Sequence, residues 1–140
     1  MKTQMTARPR YLTAALAATL SITLSITLAA CASAGPRSAA PTQVSDGVLT
    51  GSNGMTLYTF DKDMAGSGKS TCNDGCAKNW PPLMGQAGDM ASGDYSLITR
   101  DDGSKQWALK GKPLYYWVKD QKAGDRTGDG VNKVWHVATP

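Results

Sequence analysis

Glutamate is absent from these 140 residues; all eleven acidic side chains are aspartate. Aspartate favours turns and helix caps over helix interiors, so the composition leans away from helices before any motif is considered. Histidine is nearly absent as well. Its one copy, His136, lies in Lys133-Val-Trp-His-Val137 between apolar neighbours, a setting more usual for a packed or surface residue than for a base or ligand. No serine sits in a nucleophile elbow and no phosphate loop is present, since Gly66-Ser-Gly-Lys-Ser70 lacks the Walker spacing. The paired acids Asp61/Asp63 and Asp101/Asp102 fall at turn signals and read as turn formers. Hydrolytic and nucleotide chemistry therefore find no residue set here, which predicts a protein that is not an enzyme.

Cysteine is scarce too, with three copies, and the first belongs to a processing signal. Lys2, Arg8 and Arg10 precede an apolar run from Leu12 to Leu28 that ends in Leu28-Ala-Ala-Cys31. A basic start, an apolar stretch and small residues before a cleavage point form a secretory signal. A spanning helix fits less well, because the run is rich in Thr and Ser and stops without a positive flank. The Leu-Ala-Ala-Cys phrase resembles the lipobox of bacterial lipoproteins. That resemblance implies cleavage before Cys31, diacylglycerol on its thiol and a membrane anchor. With Ala32 rather than Asp in the next position, it also implies the outer membrane where the organism has two. Residues 1–30 are thus expected as signal peptide, 31–45 as lipidated Cys and flexible tether, and 46–140 as the folded domain. The signal holds three of the fifteen basic residues and no acid, leaving twelve against eleven. A near-neutral chain offers no clustered basic face, so no nucleic-acid partner is expected.

What the domain does contain is a repetition. Leu57-Tyr-Thr-Phe-Asp-Lys-Asp63 returns as Leu114-Tyr-Tyr-Trp-Val-Lys-Asp120, 57 positions on. Each copy closes a hairpin signal: Val48–Thr50 with Met55–Phe60, and Gln106–Leu109 with Pro113–Trp117. Tyr95–Thr99 meets Lys105–Leu109 across an Asp-Gly turn, and residues 133–137 form a last strand. One short helix is expected within Cys72–Asn79, ended by Trp80-Pro-Pro. The fold class is mainly β: one small domain of two pseudo-equivalent antiparallel hairpin repeats, about 46–84 and 104–140. Strand alternation puts Tyr58 and Phe60 on one face, Tyr115 and Trp117 likewise, with Leu57 and Leu114 opposite. Asp63 and Asp120 fall just past the strands, where carboxylates accept backbone N–H groups. Packing accounts for every repeated position, whereas a ligand platform requires exposed aromatics.

These residues resemble a family of small bacterial lipoproteins with a repeated Tyr-x-(Phe/Trp/Tyr)-x-x-Asp motif, a secreted repeat of unknown function. Tyr58, Phe60 and Asp63 match one copy; Tyr115, Trp117 and Asp120 match the other. Cys72, Cys76, Ala77 and Trp80-Pro81-Pro82-Leu83 are similar to the segment after the first motif in that family. The resemblance implies architecture and location, and brings no activity.

With Cys31 lipidated, Cys72 and Cys76 remain as a close pair, most often a disulfide outside the cytoplasm. The alternative is a reduced pair that binds Cu(I) with help from His136 or Met84, making a copper-handling or electron-transfer lipoprotein. Gly124-Asp-Arg-Thr-Gly-Asp-Gly130 lacks the EF-hand ligand order and reads as a surface loop. The leading expectation is a lipid-anchored envelope protein without a cofactor. It would be a binding or structural module meeting an envelope protein or small ligand through exposed aromatics and loops.

Overall fold

The structure, a computed structural model, describes residues 41–140; the signal segment, Cys31 and most of the expected tether lie outside them. Seven strands and one short helix run in the order β1 (Thr42–Ser45), β2 (Val48–Gly51), β3 (Tyr58–Phe60), α1 (Asp74–Asn79), β4 (Tyr95–Thr99), β5 (Lys105–Leu109), β6 (Lys112–Pro113) and β7 (Trp135–Val137), with a 3₁₀ turn at Val131–Lys133. The architecture is mainly β and antiparallel, as expected.

Strand β1 falls in the stretch expected as tether. It pairs with β2 from Thr42↔Gly51 to Ser45↔Val48. The turn between them, Asp46-Gly47, has φ of 48° and 77°, the left-handed pair of a type I′ hairpin that Asp-Gly favours. A second such turn, Lys110-Gly111, joins β5 to β6. Gly111 is required there twice over, because its φ is 79° and a Cβ would lie 2.4 Å from the Gly66 nitrogen. Strand β4 pairs with β5 over the full register Tyr95↔Leu109 to Thr99↔Lys105, as the sequence predicts. The expected hairpin of Val48–Thr50 with Met55–Phe60 is present as a Thr50↔Thr56 bridge and a Leu57 N–H bonded to the Leu49 carbonyl at 2.9 Å.

The two repeats do not stand side by side; each completes the other. Strand β3 of the first pairs with β7 of the second, Tyr58↔Val137 and Phe60↔Trp135. Reciprocally, Tyr115 bridges Pro82, while the Tyr116 and Val118 N–H groups bond the Pro81 and Asn79 carbonyls at 2.7 and 3.0 Å. Between the two systems, Tyr58 and Tyr115 exchange N–H···O bonds of 2.8 and 3.0 Å. Further out the bonds again come in matched pairs. Leu49 N–H donates to Ala138 and Trp107 N–H to Leu83; Ala138 N–H donates to Leu57 and Leu83 N–H to Leu114. An approximate two-fold relation therefore runs through the paired tyrosines.

Alternation along β3 and its counterpart sorts the side chains into two cores. Leu57 and Leu114 join Leu49, Leu83, Trp107, Leu109 and Ala138. Tyr58 and Tyr115 join Phe60, Cys72, Trp80 and Trp135 on the opposite face. The central strands are covered on both sides, which is why their sequence is apolar at consecutive positions.

Candidate functional site

The repeated motif converges at the two-fold relation, and it does so crosswise. Tyr58 donates its phenol proton to Asp120 Oδ2 at 2.6 Å, and Tyr115 donates to Asp63 Oδ2 at 2.5 Å. Each tyrosine thus meets the aspartate of the other repeat. The second oxygen of each carboxylate is filled by one threonine: Thr71 N–H and Oγ1 reach Asp63 Oδ1 at 2.7 Å each, and Thr127 N–H and Oγ1 reach Asp120 Oδ1 at 3.0 and 2.6 Å. Each acid accepts three hydrogen bonds, one of them from a backbone N–H, but the donor lies seven or eight residues on, so the carboxylate closes a longer loop than the tight turn expected of Asp63 and Asp120. The phenol partners were not expected.

Burial holds both phenols protonated. The Tyr58 and Tyr115 pKa values are raised well above the ordinary phenol value, first by desolvation and then by the facing carboxylate. Such a buried, hydrogen-bonded pair fastens strands together, and its phenol keeps its proton near neutral pH.

Around the pairs the aromatic rings stack on one another. Phe60, Trp135, Trp80 and Trp117 form a continuous pile with centroids 4.2, 3.7 and 4.0 Å apart. Tyr58 stands edge-on to Trp80 at 5.4 Å, and Tyr115 edge-on to Trp135 at 5.2 Å, the geometry that ring quadrupoles favour. The expectation of exposed motif aromatics is corrected here. Tyr58 and Tyr115 are fully buried and Phe60 is 8% exposed; Trp117 alone is half-buried, with Lys119 Nζ 5.6 Å from its ring. The faces of Trp135 and Trp80, inside the pile, are occupied by neighbouring rings.

The two copies differ in their supports. Tyr58 Oη accepts the Gly128 N–H at 3.3 Å. Tyr115 Oη instead meets Ser70 Oγ at 2.7 Å, and Ser70 leads to the buried Arg100. Arg100 donates to Gln106 Oε1 at 2.6 Å, to the Cys72 carbonyl at 2.7 Å and to Asn73 Oδ1 at 3.1 Å. Sequence reading missed Ser70, Thr71, Arg100, Gln106 and Thr127. One signal was available: a threonine stands after each motif aspartate, by eight residues in one copy and seven in the other.

Cys72 and Cys76 are joined in a disulfide, with Cα atoms 5.1 Å apart. Cys72 is fully buried in the aromatic core, while Cys76 borders an open cleft of about 500 Å³ with Phe60, Lys62, Asn79, Trp80 and Trp135. The copper alternative takes these two sulfurs in the reduced state, with help from His136 or Met84; here the sulfurs are bonded to each other. His136 projects from β7 on the face opposite Trp135 and pairs with Asp61 at 2.9 Å. Met84 is exposed beside Gln106. Among the described residues no three His, Cys or acidic side chains converge as a metal site. In the Gly124–Gly130 segment, Asp125 and Asp129 accept backbone N–H groups and shape the loop.

A duplicated β module, in which each copy of a Tyr–Asp motif is closed by the other, is the class of protein that this geometry defines. The chain belongs to the family described as a secreted repeat of unknown function, whose model matches residues 42–84 and 96–139. Neither the curated proteins nor the solved structures return a match. Membership in a secreted family places the protein outside the cytoplasm, free or in the envelope.

Proposed function

We propose that the protein is a non-enzymatic module held at the cell envelope by lipid on Cys31, its β domain acting as a binding or structural element for an envelope partner or small ligand. The observation that carries this reading is the closure of the motif on itself. Tyr58, Tyr115, Asp63 and Asp120 are buried and mutually bonded, so the repeated residues make a scaffold and contact with a ligand falls to loops and the cleft beside Cys76. The Leu28–Cys31 phrase supports the anchor.

The test uses the full chain in a bacterial host with and without Cys31→Ala. Incorporation of an alkyne-tagged fatty acid and sedimentation with membranes are expected for the parent, and loss of both for the variant. Untagged parent protein released into the soluble fraction would refute the anchor.

A further inference from the structure

We propose that Cys72–Cys76 is a thiol-exchange site, opened by a dithiol that enters the cleft and attacks Cys76. Thiol–disulfide exchange depends on which sulfur can be reached and on how well the other departs as thiolate. Here the two sulfurs differ in both respects. Cys76 is half-buried and forms part of the cleft wall, whereas Cys72 has no exposed surface. An incoming thiolate therefore meets Cys76 Sγ, and Cys72 Sγ is the leaving group.

The departing side also carries a buried cation, whereas Lys62 on the cleft side is exposed to solvent. Arg100 is 6% exposed and bonds the Cys72 carbonyl at 2.7 Å, and its other hydrogen-bond partners, Ser70, Asn73 and Gln106, are all neutral. No carboxylate hydrogen-bonds this guanidinium, although Asp102 lies within its field, so a thiolate forming on the residue whose backbone it holds gains a cationic neighbour. Between the cysteines, Asp74 adopts φ of 47°, in the left-handed region that aspartate enters more readily than most residues.

In the exchange, the thiolate of a dithiol reductant forms a bond to Cys76 Sγ, the Cys72–Cys76 bond breaks, and its electron pair leaves on Cys72 Sγ. The second thiol of the reductant then attacks the mixed disulfide and frees Cys76. The reductant ends as a disulfide, and the protein gains two electrons and two protons. The consequence falls on one motif copy. Ser70, two residues before Cys72, is shared by Tyr115 and Arg100, while the Tyr58–Asp120 pair rests on Gly128 and Thr127. Reduction loosens the supports of Tyr115 and leaves those of Tyr58.

The experiment uses the full chain carrying Cys31→Ala, so that one sulfur pair remains, in native buffer without denaturant. Glutathione is the trapping monothiol and dithiothreitol the reductant, with adduct positions read by peptide mass spectrometry. The expected result is glutathione on Cys76 in excess of Cys72 by on the order of ten-fold, and full reduction by dithiothreitol while the protein stays folded by circular dichroism. Amide exchange should then rise at residues 70–76 and not at 124–130. A bridge that resists dithiothreitol until the chain unfolds would overturn the proposal, as would an adduct equally or mainly on Cys72.

Discussion

The crosswise pairing can be read as an energy. Tyr58→Phe removes the phenol from Asp120 and leaves the buried Gly128 N–H without its acceptor. A hydrogen bond to a charged group contributes about 1.5–3 kcal/mol, and an orphaned donor adds desolvation cost, so a loss on the order of 2–4 kcal/mol is expected. Small domains are stable by about 5–15 kcal/mol. The variant should therefore fold, melting on the order of 10 °C or more below the parent. The sharper quantity is the coupling. In a double-mutant cycle by urea unfolding, Tyr58→Phe with Asp120→Asn should show non-additivity on the order of 1–2 kcal/mol, and so should Tyr115→Phe with Asp63→Asn. Tyr58→Phe with Asp63→Asn joins residues only five apart in sequence that share no bond, and should be additive to within about 0.5 kcal/mol. Strong coupling inside one repeat with additivity between repeats would refute the reasoning.

The remaining predictions concern the same core. Because the Tyr58 and Tyr115 pKa values are raised in the fold, their stabilisation is intact below the unfolded phenol value near pH 10 and declines as pH rises above it. Each adds a slope of about 1.4 kcal/mol per pH unit, checked by urea midpoints between pH 9 and 11.5; a flat profile would count against the buried phenols. Gly128→Ala would bring a Cβ to 2.9 Å from both the Tyr58 and Trp80 rings. A destabilisation of about 1–3 kcal/mol is expected from this overpacking, and a calorimetric melting point equal to the parent's would contradict it.

Much of the architecture was legible because local chemistry and global fold agree. The β4–β5 and β5–β6 hairpins announce themselves through Asp-Gly and Lys-Gly turns, and alternation around Leu57 and Leu114 foretold both cores. Strand β1 was not legible in the same way. Its residues Thr42-Gln-Val-Ser45 are mostly exposed and come after an Ala, Ser and Pro-rich stretch, although Asp46-Gly47 is the same hairpin signal used elsewhere in the chain. The candidate site was half legible. That Asp63 and Asp120 would hold backbone N–H groups is implied by their place after a strand. That their other oxygens would take phenols from 52 and 62 residues away depends on β7 pairing with β3, a long-range choice no local pattern encodes. For the same reason the aromatics could be read as exposed or buried until the stack of four rings was in view.

The central claim, that neither repeat is complete without the other, is tested most directly by cutting between them. A protease site placed at the exposed Met90–Gly93 loop would be cleaved in the folded chain, which is then passed over a sizing column under native conditions. The account predicts that the two halves co-elute at the size of the uncut protein, held by the β3–β7 pairing and the crossed Tyr–Asp bonds. Two halves that separate, each keeping its strand signal in circular dichroism, would contradict it.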